Sequence, residues 1–461
     1  MRTSIRLAAL SVGVCAALFG AGPASGQPLP RPEPSVQPAP QVPLPPEFDA
    51  GFYSPPADVV AATAPGGIIA VREIHVADFS LFPLNVDAWL VSYRSNNHLG
   101  QAIPAVATMI KPRGARPEPR KLLSVQIAED SLSQYCAPSY ALQHLSIAPF
   151  AGQIVAGAEF LFAQAALQQG WAVVIPDHQG PNSAYAAGPL AGRITLDGIR
   201  AATSFGPLGV GTRAPVGMYG YSGGSLATGW AAELKRSYAP ELRIVGAATG
   251  GNGPDLGAAL TMANNQATAG LVMAAVLGLA REYPDFSRFL DGHLDPLGKA
   301  LAVVKSPLCV QYQSAVLPFM NMKAMLRTQG DPMLHPEVVK LVDETRLGRS
   351  VPDMPMFLWH SQWDEILPLG SANQLVDAYC RDPRASVRYT RDWASEHVVA
   401  EVTGGPAALL WLRDRLDGVA AQQGCVTADV ASQAALPGVL PYAMSTLGES
   451  VLALFGKPMG A

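Results

Sequence analysis

The sequence predicts an α/β fold, with a mostly parallel central sheet flanked by helices and a helical insertion over one end of it. Three observations carry this. Short β-rich runs lead into an alternation of strand-like and helix-like stretches along most of the chain. The pentapeptide Gly220-Tyr221-Ser222-Gly223-Gly224 joins the apolar run Ala214–Tyr219 to the helix-forming stretch Ser225–Leu234. From Asp255 to about Val351 the alternation stops, giving way to helix-like segments without a convincing strand. Antiparallel strands followed by β–α alternation build a mostly parallel sheet whose faces need helices to cover them.

In chain order, Arg2 and Arg6 accompany an apolar stretch from Leu7 to Ala21, and Ala24-Ser25-Gly26 offers small residues where a signal peptidase cuts. Residues 1–26 therefore read as an export signal. The stretch is shorter than the roughly 20 residues of a bilayer span, which argues against the alternative of a membrane anchor. Residues 27–47 form a proline-rich leader expected to stay extended, holding neither ladder nor helix. The folded domain is expected over residues 48–461. Strand-like runs lie at Ile68–Ile74, Trp89–Tyr93, Ala105–Ile110 and Leu122–Ile127, followed by a helix around Ala156–Gln169 and the strand Ala172–Pro176. A helix near Leu196–Thr203 precedes the strand and helix on either side of Ser222. Strands at Arg243–Ala248, Met356–His360 and Val387–Thr390, a helix at Ser371–Tyr379 and one from about Val398 to Leu416 complete the series.

The insertion at about 255–351 falls between two sheet strands, which would set it over the sheet's carboxyl end, where ligands bind in open α/β sheets. Its apolar run Ala267–Ala280 is too short to cross a bilayer and reads as a buried helix. Gly251-Asn252-Gly253 just before it makes a poor dinucleotide loop, because Pro254 follows and the third glycine is missing.

At 461 residues, 49% hydrophobic and 15% charged, the chain can bury a large core, and a net charge of −4 gives no electrostatic case for nucleic acid as a partner. With Cys15 removed in the export signal, Cys136, Cys309, Cys380 and Cys425 remain. An even count in an exported chain points to two disulfides in any of three connectivities, against the alternative of four buried thiols. No Cys-x-x-Cys or His-Glu-x-x-His spacing occurs, so neither a metal nor another cofactor is expected.

The chemistry starts at Ser222. Flanking glycines let the backbone turn sharply between strand and helix and leave the hydroxyl open, which suits a nucleophile; the alternative is a plain helix N-cap serine. Such a serine needs a base and an acid to orient it, and in the α/β-hydrolase fold they follow in the order Ser, Asp or Glu, His. Asp364 and Glu365 lie in a loop just past the strand Met356–His360, and His397 stands at the mouth of the final helix. His360 precedes both acids and His178 precedes the serine, so each has the wrong order. An oxyanion would take one donor from the backbone N–H of Gly223 and a second from the loop after Leu122–Ile127, where Asp130 is placed. An ionised carboxylate would repel the oxyanion. Asp130 must then donate through its backbone N–H or through a carboxyl kept protonated by burial, and both remain open.

The segments QIAEDSLSQYCAPSYAL (126–142), PDHQGPNSAYAAG (176–188) and GYSGGS (220–225), with Asp364-Glu365, Pro368 and Ser395-Glu396-His397, resemble those of the secretory lipases of fungi and actinobacteria, lipase A-like α/β-hydrolases. The resemblance runs from about Phe48 to the last helix. It implies Ser222 as nucleophile, Asp364 rather than Glu365 as orienting acid, His397 as base, and Asp130 with Gly223 as the oxyanion hole. It further implies a helical cap and the pairs Cys136–Cys309 and Cys380–Cys425, the second closing a loop that contains His397.

The expected function is that of a secreted ester hydrolase acting on acylglycerols through an acyl-enzyme on Ser222. Its partner is a lipid or ester substrate, met in solution or at a lipid–water interface, with no stable membrane span. The rivals are a non-lipase esterase or acyltransferase on the same scaffold, and a catalytically silent cell-surface binding protein. The Ala267–Ala280 segment is expected to line an acyl passage above Ser222, with Gly270 and Gly278 among the small residues that leave room; the alternative is that it packs only the insertion's own core.

Overall fold

The computed structural model describes residues 34–113 and 118–460. The proposed export signal, Cys15 and the first part of the leader lie outside the described residues. Eleven strands form one sheet: β1 (Val36–Gln37), β2 (Ile68–Glu73), β3 (Val86–Asn96), β4 (Ala102–Pro112), β5 (Leu122–Gln126), β6 (Ala172–Pro176), β7 (Val216–Tyr221), β8 (Ile244–Gly250), β9 (Met356–Ser361), β10 (Ser386–Asp392) and β11 (Gly424–Val430). Their spatial order is β1-β2-β3-β4-β6-β5-β7-β8-β9-β10-β11. From β2 to β6 neighbours run antiparallel, and from β6 to β11 every pair is parallel.

The central strands β5, β6, β7 and β9 are buried along their whole length. Helices on both faces account for this, and it explains why these strands read as continuous apolar runs. One face packs against α2 (Gly188–Ser204) and α3 (Gly223–Tyr238), the other against α1 (Val155–Gln168). Between β8 and β9 come α4 (Leu256–Ala263), α5 (Ala269–Glu282), α6 (Pro284–His293), α7 (Pro296–Lys305), α8 (Val310–Ala315) and α9 (Pro336–Glu344), with no strand among the described residues there. Helix α10 (Leu369–Tyr379) follows β9, α11 (His397–Leu416) follows β10, and α12 (Val439–Leu454) ends the chain.

Several expectations need correction. The leader does hold a ladder: Val36 and Gln37 pair in parallel with Val71 and Arg72. The pairing fits between Pro34 and Pro38 because it is made at the sheet's edge, where missing N–H donors cost little. Helix α2 starts well before Leu196. Its three glycines dilute the helical pattern, and one is required: a Cβ at Gly192 would lie 2.7 Å from the carbonyl carbon of Trp230 on α3. Neither β11 nor α12 was legible. The first is a largely exposed edge strand without apolar alternation, and the second leaves Leu440, Met444 and Leu447 in solvent, blurring its amphipathic stripe.

Among the described residues there are two disulfides. Cys136–Cys309 ties the region after β5 to the start of α8, and Cys380–Cys425 ties the end of α10 to β11.

Candidate active site

Because β5, β7, β9 and β10 are parallel, the loops leaving their carboxyl ends gather along one edge of the sheet. Asp130, Ser222, Asp364 and His397 each lie a few residues beyond those ends. The turn at Ser222 is sharp enough to force a positive φ of 50° on a non-glycine residue, a conformation that persists only where the surroundings hold it. A Cβ at Gly220 would stand 2.3 Å from the carbonyl oxygen of Gly224, and one at Gly224 would stand 1.9 Å from that of Gln126. The glycines are therefore needed for backbone to pass against backbone. Ser222 occupies the N-cap position of α3, yet its side chain makes no capping bond.

The Ser222 hydroxyl instead lies 2.9 Å from His397 Nε2, and His397 Nδ1 lies 2.7 Å from Asp364 Oδ2. Asp364 Oδ1 accepts from the backbone N–H groups of Ile366 (3.0 Å) and Leu367 (2.7 Å), so the carboxylate is locked from behind. Burial pushes the Asp364 carboxyl up, but the His397 charge and hydrogen bond, with His360 and the Leu367 N–H, outweigh it and hold it below the usual carboxylate range. For His397 burial disfavours the charged ring, while Asp364, Glu365 and Glu401 more than compensate and move the imidazole upward. A hydroxyl in this position can pass its proton to the ring as it attacks an electrophile.

The rival residues have other partners. Glu365 Oε2 accepts from the His397 backbone N–H (3.1 Å), holding the start of α11 rather than the ring. Glu396 caps the same helix by accepting from Val398 and Val399 N–H. His360 accepts from Asn252 N–H at Nδ1 (3.0 Å) and donates from Nε2 to the Leu367 carbonyl (3.1 Å), a neutral ring packed behind Asp364. His178 Nε2 donates to the Ile127 carbonyl (2.8 Å), and burial lowers its pKa to about 4.

Asp130 sits in a strap after β5 with φ of 40°, and its carboxyl lies flat against Gly223, where an added Cβ would meet Oδ1 at 1.9 Å. Oδ1 is buried without a hydrogen-bond partner. Burial raises the carboxyl to about 7, against the opposing pull of the His397 charge and the Tyr185 hydroxyl. With its amide turned to satisfy both ends, Gln179 donates to the Ser131 carbonyl (2.8 Å) and accepts from the Asp130 N–H (2.9 Å). The backbone donor is thus engaged, while Oδ1 of the side chain has no hydrogen-bond partner. Gln179 and Tyr185 were not singled out as site residues from the sequence, although both lie in the 176–188 segment.

Ser222 and Gly223 border a cavity. Its walls are almost wholly apolar, with Leu271, Val272, Ala275, Val276 and Leu279 of α5 facing Leu256 and Ala259 of α4. The expected room at Gly270 and Gly278 is absent. A Cβ on Gly270 would meet the carbonyl oxygen of Val316 at 2.4 Å, and one on Gly278 would meet Tyr185 backbone atoms at 2.5 Å. These glycines seat α5 against its neighbours, and Ala275 supplies the open wall. Among the described residues no group of three or more His, Cys, Asp or Glu could hold a metal ion, and no helix is long and apolar enough to cross a membrane.

The model of a family described as secretory lipase matches residues 147–424. Lipase A of Arthroderma benhamiae is 37% identical over 96% of this chain and 95% of its own. A Mycobacterium tuberculosis protein named "Probable inactive lipase" is 35% identical over 80% of this chain and 82% of its own. The X-ray structure of Candida antarctica lipase A superposes with a TM-score of 0.80 at 28% identity, covering 91% of this chain and 99% of that one. With a match to more than half its length and relatives this similar, the chain belongs to the secretory lipase family.

Proposed function

We propose that this protein is a secreted serine ester hydrolase acting on acylglycerols. Ser222 Oγ attacks the ester carbonyl while His397 Nε2 takes its proton, and Asp364 holds the imidazolium that forms. The oxyanion is met by the Gly223 N–H and by the protonated carboxyl of Asp130, a neutral donor at its pKa of about 7. His397 returns the proton to the leaving alcohol. Water then attacks the acyl-enzyme with His397 again as base, regenerating the serine. The observation that carries this reading is the chain of contacts from Ser222 to His397 to Asp364 at the floor of an apolar cavity.

A relative named inactive makes silence the alternative to test, and the complete Ser, His and Asp set argues against it here. Ser222→Ala should cut kcat on p-nitrophenyl butyrate by about 10⁴-fold or more with unchanged circular dichroism. Near wild-type turnover by the purified variant would sink the mechanism. Wild-type enzyme should also release fatty acid from emulsified triolein. Turnover confined to water-soluble esters would make it a non-lipase esterase.

A further inference from the structure

The strap that carries Asp130 presses on the serine turn, since the Gln126 carbonyl and the Ala128 N–H both face Gly224. Its hold comes from an unexpected place. Helix α1 contains a single charged residue, Glu159, which is 2% exposed. Glu159 Oε2 accepts from the Ala128 backbone N–H at 3.0 Å, two residues before Asp130. Burying a carboxyl this fully is costly, and an apolar side chain of similar volume would pack there more favourably. Burial is compounded by Glu401, one turn beyond His397 on α11, whose Oε1 has no hydrogen-bond partner. Burial first and then the Glu401 charge push the Glu159 carboxyl well above its ordinary range.

Resting on the ester-hydrolase reading, we propose that Glu159 is a positioning residue for that reaction: by holding Ala128 it fixes the strap so that the Asp130 carboxyl stays turned toward Gly223 and the oxyanion. Glu159 touches no substrate. Its effect passes through two peptide units, from the Ala128 N–H to the left-handed backbone of Asp130. A carbonyl-type acceptor at the right reach is what the role requires, and charge is not.

The test separates reach from charge. Glu159→Gln keeps an acceptor at the same distance, and its kcat on p-nitrophenyl butyrate should stay within about threefold of wild type. Glu159→Asp keeps the carboxyl but falls one methylene short, and kcat should drop about 10- to 100-fold with KM within about twofold, the signature of a misplaced oxyanion donor. In an Asp130→Ala background, Glu159→Asp should cost less than about threefold more, because both act through one group. Wild-type kcat in Glu159→Asp, an equal loss in Glu159→Gln, or losses that multiply in the double variant would each overturn the proposal. Phosphorylation of Ser222 by diethyl p-nitrophenyl phosphate keeps the two readings apart. Failure of the wild-type enzyme to be labelled would count against Ser222 itself, whereas normal labelling with indifferent Glu159 variants would count against Glu159 alone.

Discussion

The carboxyl edge of the sheet and the helical insertion above it solve different problems with different materials. At the sheet edge the polar groups are placed by hydrogen bonds: Asp364 accepts from His397 and from two backbone N–H groups, and the backbone of Asp130 is held by Gln179. The insertion presents Leu271, Val272, Ala275 and Val276 to the same cavity, and it is held by apolar packing, by one disulfide and by hydrogen bonds remote from the cavity's apolar wall, such as those of Glu282 with His98. Acid–base chemistry tolerates only errors of tenths of an ångström, so it suits a place where strand register fixes positions. Accommodation of a hydrocarbon chain depends on volume, which packed helices can supply and vary.

The largest break is expected on the sheet side. Asp364→Asn keeps shape but removes the charge that orients and stabilises the imidazolium, and should lower kcat by about 10⁴-fold. The upward shift of His397 depends on that charge once burial is overcome. In the proposed mechanism the working base is the neutral ring, so wild-type kcat/KM should rise with pH through a midpoint above about 6.5, the ordinary imidazole value. In Asp364→Asn that limb should move to lower pH. An unmoved limb would mean that another group titrates.

In the proposed mechanism Asp130 supplies the opposite limb. Its carboxyl donates only when protonated, so activity should fall as pH rises through about 7. The two limbs together give an optimum close to neutrality. Asp130→Ala should cost about 10²- to 10³-fold in kcat. Asp130→Asn, whose amide donates without titrating, should retain more activity and lose the alkaline limb. If that limb persists in Asp130→Asn, the backbone N–H or another group is responsible.

What the sequence made legible follows the same division. The turn at Ser222 could be read because glycines, serine, strand and helix are contiguous, and order along the chain was enough to nominate Asp364 and His397. The choice between Asp364 and Glu365 needed the family pattern, since both are acids in one loop and only the fold shows Glu365 bound to the His397 backbone. Glu159 was invisible, being one acid in an apolar helix whose partner lies 31 residues away. In the insertion helix content was readable but direction was not. The small residues of α5 look alike in sequence, and packing alone separates Gly270 and Gly278, which touch neighbouring backbone, from Ala275, which faces the cavity.

The insertion is therefore tested at Ala275. Ala275→Trp should fill the passage and reduce kcat/KM on p-nitrophenyl palmitate about 10- to 100-fold relative to p-nitrophenyl acetate, since each methylene denied burial forfeits about 0.8 kcal/mol. Ala275→Leu should give a smaller loss in the same direction. Gly278→Trp should instead destabilise the fold and depress both esters, because its Cβ would strike the Tyr185 backbone. Equal effects on short and long esters from Ala275→Trp would move the acyl chain out of this cavity.

The two disulfides give the smallest effects at room temperature and the finest test of the division. Cys136–Cys309 fastens the insertion to the region after β5 across 173 residues of sequence. Cys380–Cys425 spans 45 residues, and the loop it closes contains His397. On the chain-entropy model each contributes about 4–5 kcal/mol, with native strain and residual structure in the unfolded chain reducing this. The double variant Cys136→Ser with Cys309→Ser should lower Tm yet keep acetate-ester turnover at 25 °C, because it loosens the wall and leaves the base aimed. On warming, its palmitate activity should fail before its acetate activity. Cys380→Ser with Cys425→Ser frees the segment that carries His397, so esters of every chain length should lose activity together. Activity ratios across a temperature series, read beside calorimetric Tm, check both. If the first pair of serines depressed both esters in parallel, the insertion would be holding the reacting groups in place as well as shaping the passage.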